Sequence, residues 1–283
     1  VPIVQLSVSA VGTLLAPYEA LVESFDALHL PRRVLGRTLY DTEIVAYRFG
    51  DDGPDGIIAA GAHAEEVAGV TTAFSLARSV PPGVQGWIVP CRDPLGWDGF
   101  RRMLARAAGK PVRVRCHGDV AAALKACGEP VRLGDVAVGI VGDVAFFSVD
   151  ESHPGMNDPA EFAYKFLAEE PEVRERLAGK RLFVHGSPLL TEGRDIYDWG
   201  GGPTIYVNAS GRVGNMNRFF SEPIPPMEVA ALRTLADEVR PAWTLDLHEG
   251  FGSSFFLFTS ALGHPVGEAA ARAMAEGVAA RGF

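Results

Sequence analysis

Long apolar runs are missing from this 283-residue chain. No stretch approaches the ~20 consecutive apolar residues of a membrane-spanning helix, so no membrane partner is expected. Basic charge is in deficit, with 26 Lys and Arg against 35 Asp and Glu and a formal net charge of -9. A nucleic-acid partner needs a basic face to meet phosphates, and this balance argues against one. Cysteine is scarce: Cys91, Cys116 and Cys127 are odd in number and lack Cys-x-x-Cys spacing. That excludes a disulfide framework and a cysteine zinc site, and leaves buried free thiols as the reading. The chain starts at Val1 and not at Met, which suggests trimming or further residues before it; the absence of a basic leader and of a cleavage-site pattern gives no targeting signal. Free cysteines without a leader favour the cytoplasm. Internal repeats and low-complexity tracts are also absent.

What is present is ordinary for a globular protein: 47% hydrophobic and 22% charged residues. The length suits one large domain or two modest ones, with a core that needs no staples. Residues 16–28 carry apolar positions at helical spacing (Leu21, Val22, Phe25, Leu28). Residues 33–39 and 43–49 read as two strands of a hairpin around Asp41. The run Ile57-Ile58-Ala59-Ala60 reads as a buried strand that Gly61 breaks, and a helical pattern follows from about Glu65 to Val80. Residues 84–90 form another strand, leading into the loop Cys91-Arg92-Asp93-Pro94-Leu95-Gly96. Strand, helix and strand in alternation predict a parallel or mixed sheet with helices on both faces.

The pattern changes between about residues 100 and 204. Residues 112–115 alternate like a half-exposed strand, 119–127 are helical, 135–149 read as a strand pair, and 160–178 as a charged helix broken at Pro171. A short strand at 181–185 precedes a long loop through Gly200-Gly201-Gly202, which reads as a flexible turn because no Lys-Ser/Thr follows. The segment has the size of an inserted subdomain or large lid. Strand signals return at Ile205-Tyr206-Val207; a helix is expected over residues 227–239 and a buried strand over 242–247.

Two sites carry metal chemistry. His63 and Glu66 lie three residues apart where a strand gives way to a helix, and His248 stands at the carboxyl end of a later strand. In open α/β sheets ligands gather beyond the carboxyl ends of the strands, so His63 and His248 are expected at one rim. Two imidazoles and one carboxylate suit a hydrolytic zinc ion with an open position for water. Asp246, on the same side of its strand as His248, is a supporter for that ring. Asn217-Arg218 follows a glycine-rich turn and suits a carboxylate clamp, with Arg212 upstream and Arg92 as a second candidate cation. His29, His117, His153, His185 and His264 lack partner spacing and read as surface or loop residues. Ser253-Ser254 has no nucleophile-elbow pattern.

Taken together, Gly61-Ala62-His63-Ala64-Glu65-Glu66, Asn217-Arg218-Phe219-Phe220 and Asp246-Leu247-His248 make the chain resemble the zinc carboxypeptidase superfamily. That group includes carboxypeptidase A-like enzymes and the succinylglutamate desuccinylase/aspartoacylase branch. The resemblance covers about residues 33–96 and 206–258. It implies an α/β fold with a mixed central sheet of about eight strands and helices on both faces. Residues 1–283 would form one catalytic domain, with an inserted α+β subdomain at about 100–204. It also implies one zinc ion on His63, Glu66 and His248, and hydrolysis of an amide next to a carboxylate-bearing group in a peptide or N-acyl amino acid. Asn217 and Arg218 would bind the substrate carboxylate, and Arg212 would polarise the scissile carbonyl; Arg92 is the alternative oxyanion cation. Three features depart from the family. The motif with proline and glycine that precedes Asn-Arg is matched in part by both Asp93-Pro94-Leu95-Gly96 and Asn208-Ala209-Ser210-Gly211. Asn215 stands where Asp is usual, able to accept from a ligand histidine through its amide oxygen but without charge. No glutamate after His248 matches the family's general base, Glu249, Glu268 and Glu276 being poor fits. These departures leave open the alternative of a catalytically impaired metal- or substrate-binding homologue.

Overall fold

The computed structural model describes residues 17–80, 82–185 and 202–248, with isolated positions 269, 272, 273 and 276 beyond them. The readings made for Gly200, Gly201, Glu249, Ser253, Ser254, His264, Glu268 and the last helix as a whole lie outside the described residues. In chain order the elements are α1 (Tyr18–Asp26), β1 (Arg32–Arg37), β2 (Glu43–Phe49), β3 (Asp55–Ala60), α2 (Val67–Arg78), β4 (Gln85–Val89) and α3 (Pro94–Ala108). There follow α4 (His117–Cys127), β5 (Glu129–Arg132), β6 (Val136–Val141), β7 (Val144–Val149), α5 (Pro159–Glu169) and α6 (Pro171–Arg176). The last are β8 (Arg181–Val184), β9 (Thr204–Val207), β10 (Val213–Gly214), α7 (Met227–Val239) and β11 (Trp243–Leu247).

The expectation of one sheet of about eight strands is corrected. The strands form two mixed sheets, one ordered β1-β2-β4-β3-β11 and the other β10-β9-β8-β7-β6-β5. Each is covered on both faces, and period-two alternation shows how. In β3, Ile58 and Ala60 pack with α1 and α2 around Leu21, Phe25, Val67 and Val70, while Ile57 and Ala59 pack on the other face against Leu232 and Leu235 of α7. In the second sheet Ala137, Phe146 and Phe183 meet Leu104, Val120 and Leu124 of α3 and α4. Val138, Phe147 and Leu182 meet Phe166, Leu167 and Val173 of α5 and α6. Strands buried on both sides read as continuous apolar runs, and such runs do not say which strands pair.

Two local readings also change. Residues 112–115 are a connection and not a strand, although Val114 is buried in the second core; alternation without a hydrogen-bonded neighbour does not make a strand. The stretch after Asp93, read as a loop, is the helix α3. Asp93 caps it by accepting from the Gly96 amide, Pro94 occupies its first turn, and Gly99, at φ 76°, interrupts it. Pro94, Gly96 and Gly99 made that helix look like a turn.

A buried ionic node joins the two sheets. Arg181 of β8 donates to Asp93 Oδ1 at 2.6 Å and pairs with Glu228 of α7 at 2.8 Å. Thr204 also donates to Asp93, and Thr38 to Glu228. All three charged side chains are 4% exposed or less. Burial opposes the Arg181 charge, but Asp93 and Glu228 outweigh it and raise its pKa. Removing one partner strands a charge out of water. Arg181→Met is therefore expected to cost about 3–5 kcal/mol, read as the loss in urea-unfolding free energy; a loss under about 1 kcal/mol would show that the node does not hold the sheets.

Candidate metal centre

The centre begins with strand pairing. β11 runs parallel to β3 with Leu247 opposite Ala60, so His248 leaves its strand where the chain leaves β3 for His63. Gly61 takes φ 62°, and a Cβ there would meet Cys91 Sγ at 2.8 Å, so this turn requires glycine. Residues 63–66 close a turn through the Glu66 N–H to His63 carbonyl bond of 3.1 Å, which puts both side chains on one side. α2 then starts against the end of β11. A Cβ on Gly69 would lie 2.7 Å from the Leu247 carbonyl oxygen, and only glycine permits that approach. β11 itself was expected to be buried. It is the last strand of its sheet among those described, with alternate residues exposed, and Asp246 and His248 share that exposed side.

His63, Glu66 and His248 offer ligand atoms that all lie within 4.8 Å of one another. The two rings are 5.2 Å apart between centroids. His63 Nδ1 lies 2.8 Å from Glu66 Oε1, and His248 Nδ1 lies 2.8 Å from Glu66 Oε2. Each oxygen of one carboxylate thus faces a different imidazole. Both Nε2 atoms are supported from behind. Asp246 Oδ2 is 3.2 Å from that of His248, and Asn215 Nδ2 is 3.0 Å from that of His63. The Asn215 contact differs from expectation, since its amide oxygen accepts from the Asn217 N–H at 3.1 Å, capping the short 3-10 turn Met216–Arg218. Its NH2 is what turns to the histidine.

Electrostatics agree with the geometry. Hydrogen bonds to Asp246 and then Glu66 raise His248 to about 10 in the metal-free protein. Burial opposes ionisation of Glu66, but the bonds from His248 and His63 prevail and its pKa is lowered. Asp246 is lowered in the same way, by His248 and Arg92 against burial. Next to the centre, burial pushes the Glu65 carboxyl up to about 7, and its Oε2 has no hydrogen-bond partner among the described residues. Tyr164 of α5 stands near Glu65 and Arg218, and burial pushes its phenol up to about 12. The sequence reading missed Glu65 and Tyr164. Glu65 sits inside the quoted motif and was overlooked beside Glu66; Tyr164 carries no local signal, because it comes from the other sheet's layer.

The donor set fits a divalent cation. Two imidazole nitrogens and a two-oxygen carboxylate converge, and Asp246 offers the far nitrogen of His248 the acceptor that a zinc-bound ring needs, whereas the Asn215 NH2 presents a donor to that of His63. The cationic residues divide differently. Arg218 is exposed; its backbone N–H donates to the Asn215 carbonyl at 3.0 Å, while its guanidinium makes no hydrogen bond or ion pair with the described residues. Arg212 is turned to the surface, paired with Glu222 and lying over the Phe219 ring, which gives its expected role at the scissile carbonyl no support. Arg92, the other oxyanion candidate, is 3% exposed and bonded to Asp246 and Asn217, so it is not free for an oxyanion. Among the other histidines, His117 and His185 are not surface residues. They are buried on either side of Ser148, with Nδ1 distances to its Oγ of 3.1 and 3.3 Å, and His117 Nε2 donates to the Gly134 carbonyl at 2.7 Å. With Ser148 wholly buried, this chain of polar groups is part of the second sheet's interior.

No protein-family model matches the chain, and no curated protein matches it. It is similar to several solved structures. A Shewanella denitrificans OS217 protein named a "putative metallopeptidase" is 27% identical over 30% of this chain and 34% of that one, with a TM-score of 0.25. Carboxypeptidase A from Helicoverpa armigera is 15% identical over 28% of this chain and 24% of that one, with a TM-score of 0.24. Murein-tripeptide amidase MpaA from Escherichia coli O157 is 14% identical over 78% of this chain and 62% of that one, with a TM-score of 0.31. The chain thus spans about a third or less of the first two and under two thirds of the third. At these scores the likenesses carry no weight for function; the side chains of the centre do.

The sign of the pH dependence follows from His248. Its raised pKa stabilises the metal-free fold fully below about 6.5, the unfolded value, and that stabilisation is lost as pH rises through about 10. A cation must displace this proton. Zinc affinity, measured by chelator competition, is therefore expected to keep rising between about pH 7 and 9; a plateau from about pH 7 would show that Asp246 and Glu66 do not hold the imidazolium.

Proposed function

We propose that this chain is a metal-dependent hydrolase of the carboxypeptidase or N-acyl amino acid deacylase kind, cleaving an amide next to a carboxylate-bearing group. The supporting observation is the convergence of His63, Glu66 and His248 on one point, with the exposed guanidinium of Arg218 presented by the turn that also supports His63. Zinc is the cation that this donor set suits best. When bound, it supplies Lewis acidity, making water a better nucleophile and a carbonyl a better electrophile.

The chain's own residues do the rest. Glu66 and the two histidines fix where the cation sits. Asp246 accepts from His248 Nε2 and sets that ring from behind. Arg218 attracts the substrate carboxylate, and Asn217 adds a donor beside it. This holds the amide at a fixed distance from the metal, which converts binding into orientation.

A second reading is favoured by Asn215. A ring bound to metal through Nδ1 keeps its proton on Nε2 and needs an acceptor there; the Asn215 NH2 is a donor, which weakens the hold on a cation and suits a protein without turnover. A panel of C-terminally free peptides and N-acyl amino acids, assayed with the zinc-loaded protein, separates the readings: turnover supports the hydrolase, and tight binding without turnover supports the second.

His63→Ala and His248→Ala are each expected to reduce bound zinc from about one ion per chain to nearly none while leaving the circular dichroism spectrum unchanged. Full zinc content in either variant would contradict the ligand assignment. Arg218→Ala is expected to raise KM for a carboxylate-bearing substrate by roughly 10-fold or more, with a smaller effect on kcat; an unchanged KM would remove Arg218 from the substrate site.

A further inference from the structure

We propose that Arg92 is a positioning residue that ties the metal ligands to the anion-binding turn, fixing His248 through Asp246 and the Asn217 amide directly. The proposal deepens the hydrolase reading and rests on it.

The geometry is specific. Arg92 is 3% exposed, and its backbone N–H bonds the Ala60 carbonyl at 2.8 Å, locking it to the end of the strand that delivers His63. Its Nη1 donates to Asp246 Oδ2 at 2.8 Å, and the same oxygen lies 3.2 Å from His248 Nε2. Its Nη2 donates to Asn217 Oδ1 at 2.7 Å. The Phe220 ring lies 5.2 Å from the guanidinium carbon. Asn217 is joined through its N–H to Asn215, and Asn215 to His63. The contacts therefore close a ring: His63, Glu66, His248, Asp246, Arg92, Asn217, Asn215 and back to His63. Arg92 is the member of this ring that bonds both Asp246, behind His248, and Asn217 of the anion-binding pair.

The ring has a consequence for ligand binding. With its oxygen taken by Arg92, Asn217 has only its NH2 to offer a ligand. A donor is the half of the amide that an anionic group needs. A planar guanidinium reaches two acceptors at fixed angles, whereas a lysine ammonium is a point charge that cannot reproduce the fork. Lysine at this position keeps a positive charge for Asp246 but gives up the hold on Asn217.

The experiment measures zinc affinity by chelator competition and, with zinc bound, N-acetylglycine affinity by calorimetry. Wild type, Arg92→Lys, Arg92→Met, Asn217→Ala and the double variant Arg92→Lys/Asn217→Ala are compared. Arg92→Lys is expected to stay within about 3-fold of wild type for zinc while losing about 10-fold or more for N-acetylglycine. Arg92→Met is expected to lose both, with zinc weakened about 10- to 100-fold. In the Asn217→Ala background Arg92→Lys should have almost no further effect on N-acetylglycine, because the path through the amide is gone. A merely structural Arg92 would weaken both ligands in parallel and act equally in both backgrounds, and that result overturns the proposal. If wild type takes up zinc and N-acetylglycine and Arg92→Lys matches it for both, this proposal fails alone. A wild type that takes up no zinc overturns the metal reading and the proposal with it.

Discussion

The parallel register of β3 and β11 is the constraint on which the centre depends. Leu247 lies opposite Ala60, so the residues that follow each strand emerge side by side, although they are far apart in the chain. Slipping that register by one residue would turn His248 and Asp246 to the other face of the sheet. Gly61 and Gly69 make the arrangement possible. The first turns the chain sharply after β3, and the second lets α2 start against the Leu247 carbonyl, which brings the Glu66 carboxylate between the two imidazoles. Three ligand atoms then share one small volume.

The second sheet is not remote from this centre. The Asp93–Arg181 pair sits one residue from Arg92, so the position of Arg92 is set from both sides: by the Ala60 carbonyl at the end of β3 and by the node that reaches β8. β10 leads into Asn215 and the turn that carries Asn217 and Arg218. α5 sets Tyr164 near Glu65 and Arg218. Groups around His63, Glu66 and His248 therefore come from both sheets, Tyr164 coming from the segment read as an inserted subdomain or large lid. Burying Arg181, Asp93 and Glu228 together is tolerable because each charge has a partner within hydrogen-bond range.

Much of this was legible in the sequence. The buried apolar strand Ile57-Ile58-Ala59-Ala60, the strand at residues 43–49, the helix of residues 227–239 and the position of His248 at a strand end follow from local pattern. So does the rough meeting point of His63, Glu66 and His248, once strand ends are expected to converge on one rim. Pairing between strands was not legible. Apolar runs such as Val144–Val149 look the same whichever neighbour they take, so two sheets could be read as one. The helix α3 was hidden by the proline and glycines in its first turns. The roles of the arginines were hidden for another reason: Arg92, Arg212 and Arg218 are alike as letters, and only the folded chain shows one buried in a bridge, one paired at the surface and one open. Asn215 was expected beside a ligand histidine; that this is His63 comes from the fold, and which end of its amide faces the ring is decided by the Asn217 N–H, a backbone group that no side-chain pattern reveals.

The central claim is that one divalent cation is held by two imidazoles and one carboxylate. X-ray absorption at the zinc edge of the loaded protein tests it most directly. The account predicts a nitrogen- and oxygen-bound ion at about 2.0–2.2 Å with the outer-shell pattern of two imidazoles and no sulfur neighbour. A spectrum with sulfur at about 2.3 Å, or one of a hydrated ion lacking the imidazole pattern, would contradict it.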